Sequence, residues 1–205
     1  MNLFNLFPIP IGMFQCNQHA LINDCKKLIV DLEQLPNEGN TKSEKIDVLE
    51  LELLQPLRAW VSQCLEQFFR EVYGAGQSVD LHIVQSWANY SDPGQFHHAH
   101  RHQNSLVSGV FYVQCNESDK IQFLRDGYQQ LQLKPDTWNL YNANSWWLPV
   151  NEGLLLLFPS STIHEVPRVD GNQTRISIAF NTFPSGIMGS RDTLTRLQLP
   201  FPITA

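Results

Sequence analysis

With 205 residues, 42% hydrophobic and 17% charged, the chain has the size and composition of one compact domain whose core leaves surface for a pocket. A formal net charge of −6 with only 14 Lys and Arg argues against nucleic-acid partners, which need clustered cations. The opening segment from Met1 to Pro8 has neither a basic n-region nor a long apolar run, so no signal peptide or membrane anchor is expected, and a cytoplasmic location is.

From Leu21 to Leu35 apolar residues recur as Leu21, Ile22, Cys25, Leu28, Ile29, Leu32 and Leu35. This is the spacing of one helical face, with Asn17 as a cap and Pro36 to Asn40 as the stop. A second helical pattern runs through Leu54, Leu57, Val61, Leu65, Phe68, Phe69 and Val72. It starts near Pro56, tolerable in a first turn, and stops at Gly74-Ala75-Gly76. From Val79 the period changes to two, and runs rich in β-branched and aromatic residues predict strands at His82–Tyr90, Ser108–Gln114, Ile121–Phe123, Leu154–Phe158 and Thr174–Phe180. Residues 1–78 therefore read as N-terminal helical support, and 79–205 as the β core of a single domain. The stretch Tyr128–Asn151 carries Tyr128, Trp138, Tyr141, Trp146 and Trp147 with weak periodicity. It reads as a lid or binding loop, or as a loop whose aromatics cover one face of the sheet. Cys16, Cys25, Cys64 and Cys115 are widely spaced with no CxxC pair, which predicts buried reduced thiols.

Five of the seven histidines fall in two short stretches, His97-His98-Ala99-His100-Arg101-His102 and the segment ending at His164. A first-row metal takes imidazole nitrogens at about 2.1 Å, so two nitrogens on one ion lie at most about 4 Å apart. Residues i and i+2 of a strand share a face with Cα atoms about 6.6 Å apart, close enough for long rings to converge. His100 and His102 have that relation, and so do His98 and His100. One strand cannot surround an ion, and His164 is the candidate third ligand. By the same parity His97 is expected on the opposite face.

Helices on a β-rich body, with candidate ligands on separate strands, suggest a mainly β fold with N-terminal helices: a double-stranded β-helix, the jelly-roll barrel that also houses cupins. Gly94 precedes the His100/His102 pair as in the cupin pattern, but the Glu that should follow is missing. Sixty-four residues separate His100 from His164, and eleven separate His164 from Arg175. That spacing resembles the 2-oxoglutarate, Fe(II)-dependent oxygenases, where a distal histidine is followed by an arginine for the cosubstrate carboxylate. A planar guanidinium forks both oxygens of a carboxylate, which Lys cannot do.

The resemblance extends along the chain. Leu6-Phe7-Pro8-Ile9-Pro10, Ser86-Trp87-Ala88-Asn89, Gly94, His100-Arg101-His102, Ser108-Gly109-Val110-Phe111-Tyr112-Val113, the run Gly153 to Ser160, His164 and the run Arg175 to Asn181 occur in this order. Together they resemble a family of 2-oxoglutarate/Fe(II) oxygenases related to prolyl 4-hydroxylases and found in marine bacteria and their viruses. The resemblance implies Fe(II) and 2-oxoglutarate as cofactors. It makes His100 the first metal ligand, puts His102 in the position of the usual Asp, and makes His164 the distal ligand. Arg175, helped by Ser177 and Tyr112, would bind the cosubstrate, and Trp87 and Asn89 would line the pocket. Three neutral imidazoles leave such a site more positive than two imidazoles and a carboxylate would.

The implied reaction uses O2 to hydroxylate a C–H bond of an amino-acid side chain or small molecule, with release of succinate and CO2. The substrate is a small molecule, peptide or protein. Two other readings stay open: a cupin-like dioxygenase or isomerase that needs no cosubstrate, and a catalytically silent jelly-roll binding module. Oligomeric state is not legible.

Overall fold

In the computed structural model, residues 1–127, 131 and 133–200 are described; Tyr128, at the start of the aromatic stretch, lies outside them. Among the described residues the elements in chain order are β1 (Gly12–Gln15), α1 (His19–Val30), β2 (Gln34–Pro36), β3 (Thr41–Ser43), two 3₁₀ turns (Val48–Glu50 and Glu52–Leu54) and α2 (Gln55–Tyr73). They continue as β4 (Val79–Ser91), β5 (His97–His100), β6 (Val107–Gln114), β7 (Lys120–Leu124), β8 (Ser145–Pro149), β9 (Leu154–Pro159), β10 (His164–Val166), β11 (Arg175–Met188) and β12 (Leu197–Leu199). All five strands expected from the two-residue period are present; β4 starts three residues before its expected limit and β11 runs eight residues past its own, to Met188.

The strands form two antiparallel sheets. The larger runs β1-β9-β6-β11-β4-β3-β2, with β12 also paired to β11, and the smaller runs β5-β10-β7-β8. The change of period at residue 79 does not divide the larger sheet, because β1 pairs with β9 and β3 with β4. Residues before it thus supply strands as well as helices.

Alternation along the central strands sorts side chains into two cores. Phe111, Val113, Leu155, Leu157, Ile176, Ile178 and Phe180 face the helices and pack with Ile22, Ile29, Leu57, Val61 and Phe68. Val110, Tyr112, Leu154, Leu156, Phe158 and Ala179 face the smaller sheet and meet Ile121, Phe123 and Leu148. The order is helices, large sheet, small sheet, and each fully buried Leu or Phe contributes roughly 1.5–3 kcal/mol. Gly109 permits one close approach. It stands opposite Phe180 across β6 and β11, and a Cβ there would lie 2.1 Å from the Phe180 Cζ.

Helix α2 follows its sequence signals, with Pro56 in the first turn and Gly74 as a left-handed cap whose N–H reaches the Arg70 carbonyl. Helix α1 departs from its expected limits in two ways. It is capped by Gln18 rather than by the Asn17 side chain, and it ends at Val30 instead of reaching Leu35. Leu35 lies in β2, paired with Lys42. Pro36 disfavours the helical conformation at the residue before it, and the hairpin offers the backbone a ladder instead. The four cysteines are unpaired, and Cys16, Cys25 and Cys64 are buried. No helix among the described residues is long and apolar enough to cross a membrane.

Candidate active site

The inward face of the large sheet carries one row of polar groups among apolar ones. Ser177 of β11 stands opposite Asn89 of β4 on one side and Tyr112 of β6 on the other, so three polar side chains sit on adjacent strands about 4.8 Å apart. The next inward row is Trp87, Ala179 and Val110. Arg175 lies two residues before Ser177 on the same face. A cavity between the sheets is lined by Trp87, Asn89, Tyr112, Arg175 and Ser177 from this side, and by His97, His100 and His164 from the other.

Arg175 is 4% exposed. One Nη1 donates to the Lys120 carbonyl at 3.1 Å and the guanidinium lies over the Tyr112 ring at 5.1 Å. Among the described residues no carboxylate pairs with it. A buried guanidinium without a carboxylate is costly unless an anion comes to it. Around it, the Tyr112 hydroxyl and Asn89 Oδ1 are shielded from water with no hydrogen bond of normal geometry. Burial pushes the Tyr112 phenol up to about 12 against the opposing pull of Arg175, so it stays a donor. A buried cation flanked by an unused hydroxyl suits a carboxylate ligand.

The histidines meet because β10 lies between β5 and β7, and His164 pairs with His100 on one side and Phe123 on the other. Its ring centroid lies 4.4 Å from that of His100 and 5.1 Å from that of His102. His102 follows the end of β5, its N–H held by the Ser160 carbonyl, and its ring stacks on Trp87. His100, His102 and His164 each offer a nitrogen within 4.8 Å of those of the other two.

Hydrogen bonds assign the tautomers. His100 Nδ1 faces the His98 carbonyl at 2.8 Å, His164 Nδ1 faces the Thr162 carbonyl at 3.0 Å, and His102 Nδ1 faces Asn181 Oδ1 at 2.5 Å. Each partner is an oxygen acceptor, so each Nδ1 carries the proton and each Nε2 keeps a bare lone pair. Two of these, on His100 and His102, lie 3.2 Å apart. Imidazoles tied by N–H to carbonyl or amide oxygens are the usual outer arrangement of metal-ligating histidines. Burial, followed by the neighbouring His100, pushes His164 down to about 3, and burial also lowers His100 and His102. The rings are therefore neutral at neutral pH, the form that binds metal. The donor set, three neutral imidazoles, accepts Fe(II) and equally Zn, Ni or Cu.

His97 corrects the parity argument. It was expected on the far face, but it lines the cavity and stacks on His100 with centroids 4.5 Å apart. The ladder between β5 and β10 is irregular: His164 pairs with His100 and Val166 with His97, two steps on one strand against three on the other. This bulge returns residue 97 to the side of residue 100. Arg168 is tied down by a 2.6 Å bond to the Gly94 carbonyl and lies over the Phe96 ring.

Asn181 is a site residue to which sequence reasoning gave no role. Besides facing His102, its Oδ1 accepts from Ser108 Oγ, which joins a chain through Ser160 to Ser105. The available signal was its parity with Arg175 and Ser177 as a polar residue in an apolar strand.

Solved structures share the fold. A Pseudomonas putida prolyl-4-hydroxylase aligns with a TM-score of 0.57 at 16% identity, over 84% of this chain and 92% of that one. HygX from Streptomyces hygroscopicus, solved with nickel and 2-oxoglutarate bound, aligns with a TM-score of 0.59 at 11% identity, over 85% and 82%. SnoK, a non-heme alpha ketoglutarate dependent carbocyclase from nogalamycin biosynthesis, aligns with a TM-score of 0.61 at 13% identity, over 96% and 90%. The fold is that of the jelly-roll 2-oxoglutarate oxygenases. Residues 85–181 match the profile of a family described as "Putative 2OG-Fe(II) oxygenase". The match covers 97 of the 205 residues. No curated protein sequence matches the chain.

Proposed function

We propose that the protein is a 2-oxoglutarate- and Fe(II)-dependent hydroxylase, a single oxygenase domain acting in the cytoplasm on an amino-acid side chain or small molecule. His100, His102 and His164 would hold the iron, Arg175, Ser177 and Tyr112 the cosubstrate, while Trp87 and Asn89 line the cavity beside them. When bound, iron and 2-oxoglutarate supply O2 activation coupled to release of succinate and CO2, with one oxygen atom delivered to a C–H bond.

The chain's own residues account for the rest. Arg175 neutralises and orients the far carboxylate of the cosubstrate, and the Tyr112 and Ser177 hydroxyls donate to it. Asn181, Thr162 and the His98 carbonyl hold the three rings in the tautomer that presents Nε2. Trp87, stacked on His102, covers one side of the cavity and limits water access.

The observation that carries this reading is the buried Arg175, with no carboxylate partner among the described residues, in the same cavity as three imidazoles with bare nitrogens. Hydroxylation is proposed by likeness to the prolyl-4-hydroxylase; other proteins of this fold are named as an epimerase and a carbocyclase.

The test is Fe(II)-dependent succinate formation from 2-oxoglutarate in air, screened over prolyl peptides, free amino acids and small molecules, with a 16-dalton mass gain in the product. Binding of iron and 2-oxoglutarate with no succinate under any substrate would refute it. Metal-dependent turnover unaffected by Arg175→Ala would point to the cupin-like chemistry instead.

A further inference from the structure

His100 belongs to a second histidine group. His97, His98 and His100 each place a ring nitrogen within 4.8 Å of those of the other two. Two features build this group. The β5 bulge gathers the rings, with centroids 5.1 Å apart for His97 and His98 and also for His98 and His100. The β2–β3 hairpin is fastened over them: the Phe96 N–H donates to the Gly39 carbonyl at 3.1 Å, and Asn37 Nδ2 lies 3.3 Å from His97 Nε2. Gly39 has φ +87°, and a Cβ there would lie 2.6 Å from the Phe96 carbonyl oxygen, so only glycine lets the hairpin tip sit this close to β5.

The hairpin carries Glu38 to the group. Its Oε2 lies 3.6 Å from His98 Nδ1, a nitrogen shielded from water that makes no hydrogen bond. At that separation the carboxylate faces the ring without a hydrogen bond and adds negative charge beside the three imidazoles.

We propose that His97, His98 and His100, with the Glu38 carboxylate beside His98, form an outer site for a divalent ion of the zinc, nickel or copper type. Imidazole-rich sets favour these ions over the other divalent first-row metals. His100 is common to both groups, so loading of the outer site opposes loading of the inner one.

The probe is Zn2+ alone, titrated calorimetrically into metal-stripped full-chain protein. In the variant His102→Asn/His164→Asn, each asparagine amide replaces the Nδ1–H donor and lacks the Nε2 that would reach an ion. This variant should still take up one equivalent of zinc. Adding His98→Ala should weaken that uptake at least tenfold, and adding Glu38→Gln instead should weaken it several-fold. If the double variant folds, by its circular dichroism, but takes up no zinc, or if His98→Ala leaves its uptake unchanged, the outer site is overturned. If the double variant does not fold, His102→Asn alone, which leaves the buried His164 in place, is read by the same criteria. Failure of the inner triad shows separately, as loss of metal uptake in His97→Ala/His98→Ala, where the inner triad is intact.

Discussion

His102 gives its Nδ1 proton to Asn181 Oδ1 across 2.5 Å, and that bond fixes which nitrogen the ring presents to His100. The relationship links β11 to the segment just after β5, across 79 residues of sequence. An amide oxygen, itself held by Ser108, thus sets the ring's tautomer and direction.

Asn181→Ala therefore weakens metal binding by roughly 10–100-fold, measured as Co2+ affinity of the stripped protein. Asn181→Asp, which keeps the acceptor oxygen, restores most of it. Equal affinity for wild type and Asn181→Ala would remove Asn181 from the site.

Arg175→Ala weakens 2-oxoglutarate binding at least a hundredfold, about 2.8 kcal/mol, measured calorimetrically in the presence of Mn2+. Arg175→Lys does not recover the loss, because an ammonium cannot fork the carboxylate. Metal affinity in the absence of 2-oxoglutarate should stay near the wild-type value, which separates the two halves of the site.

Gly109→Ala tests the large sheet. Its Cβ would meet the ring of Phe180, which is fully buried between β11 and the helices, and overpacking of this kind costs about 1–3 kcal/mol. Urea denaturation should report a lower midpoint with an unchanged slope. An unchanged midpoint would mean that the Phe180 ring moves freely aside.

The histidine cluster makes the metal-free protein sensitive to acid. His97 and His164 are pushed down to about 3, mainly by burial and then by the neighbouring His100, against an ordinary value of 6.5. Because the folded values lie below the unfolded ones, the unfolded chain binds more protons in this interval, and stability rises with pH. The contribution is complete above about pH 6.5 and is lost as the pH falls towards 3, by up to about 1.4 kcal/mol per unit for His164. Chelator-treated protein should show a falling urea midpoint over that range, and His164→Asn should flatten the curve. A midpoint independent of pH between 6.5 and 4 would argue against buried neutral imidazoles.

What the sequence displayed and what it hid follow from packing. Strands β4, β6, β9 and β11 carry long apolar or alternating runs, so the two-residue period shows them. Strands β5 and β10 have four and three residues and carry histidines instead of core, so their composition announces the site and conceals the strand. The spacing of His100, His102, His164 and Arg175 picked out side chains that the fold brings to one cavity. The side on which His97 lies was not, because a bulge has no signature in residue type and reverses any count by twos. Leu35 was misplaced because its apolar spacing fits a helix while its hairpin partner and Pro36 favour a strand. Asn181 escaped because its role depends on His102, a residue brought to it only by the fold.

The central claim is that one cavity holds iron on His100, His102 and His164 and a 2-oxoglutarate carboxylate on Arg175. Anaerobic addition of Fe(II) and 2-oxoglutarate to the purified protein tests it in one spectrum. The account predicts a weak visible charge-transfer band that is lost in both His102→Asn and Arg175→Ala. No band in the wild type, or a band unchanged in Arg175→Ala, would contradict it.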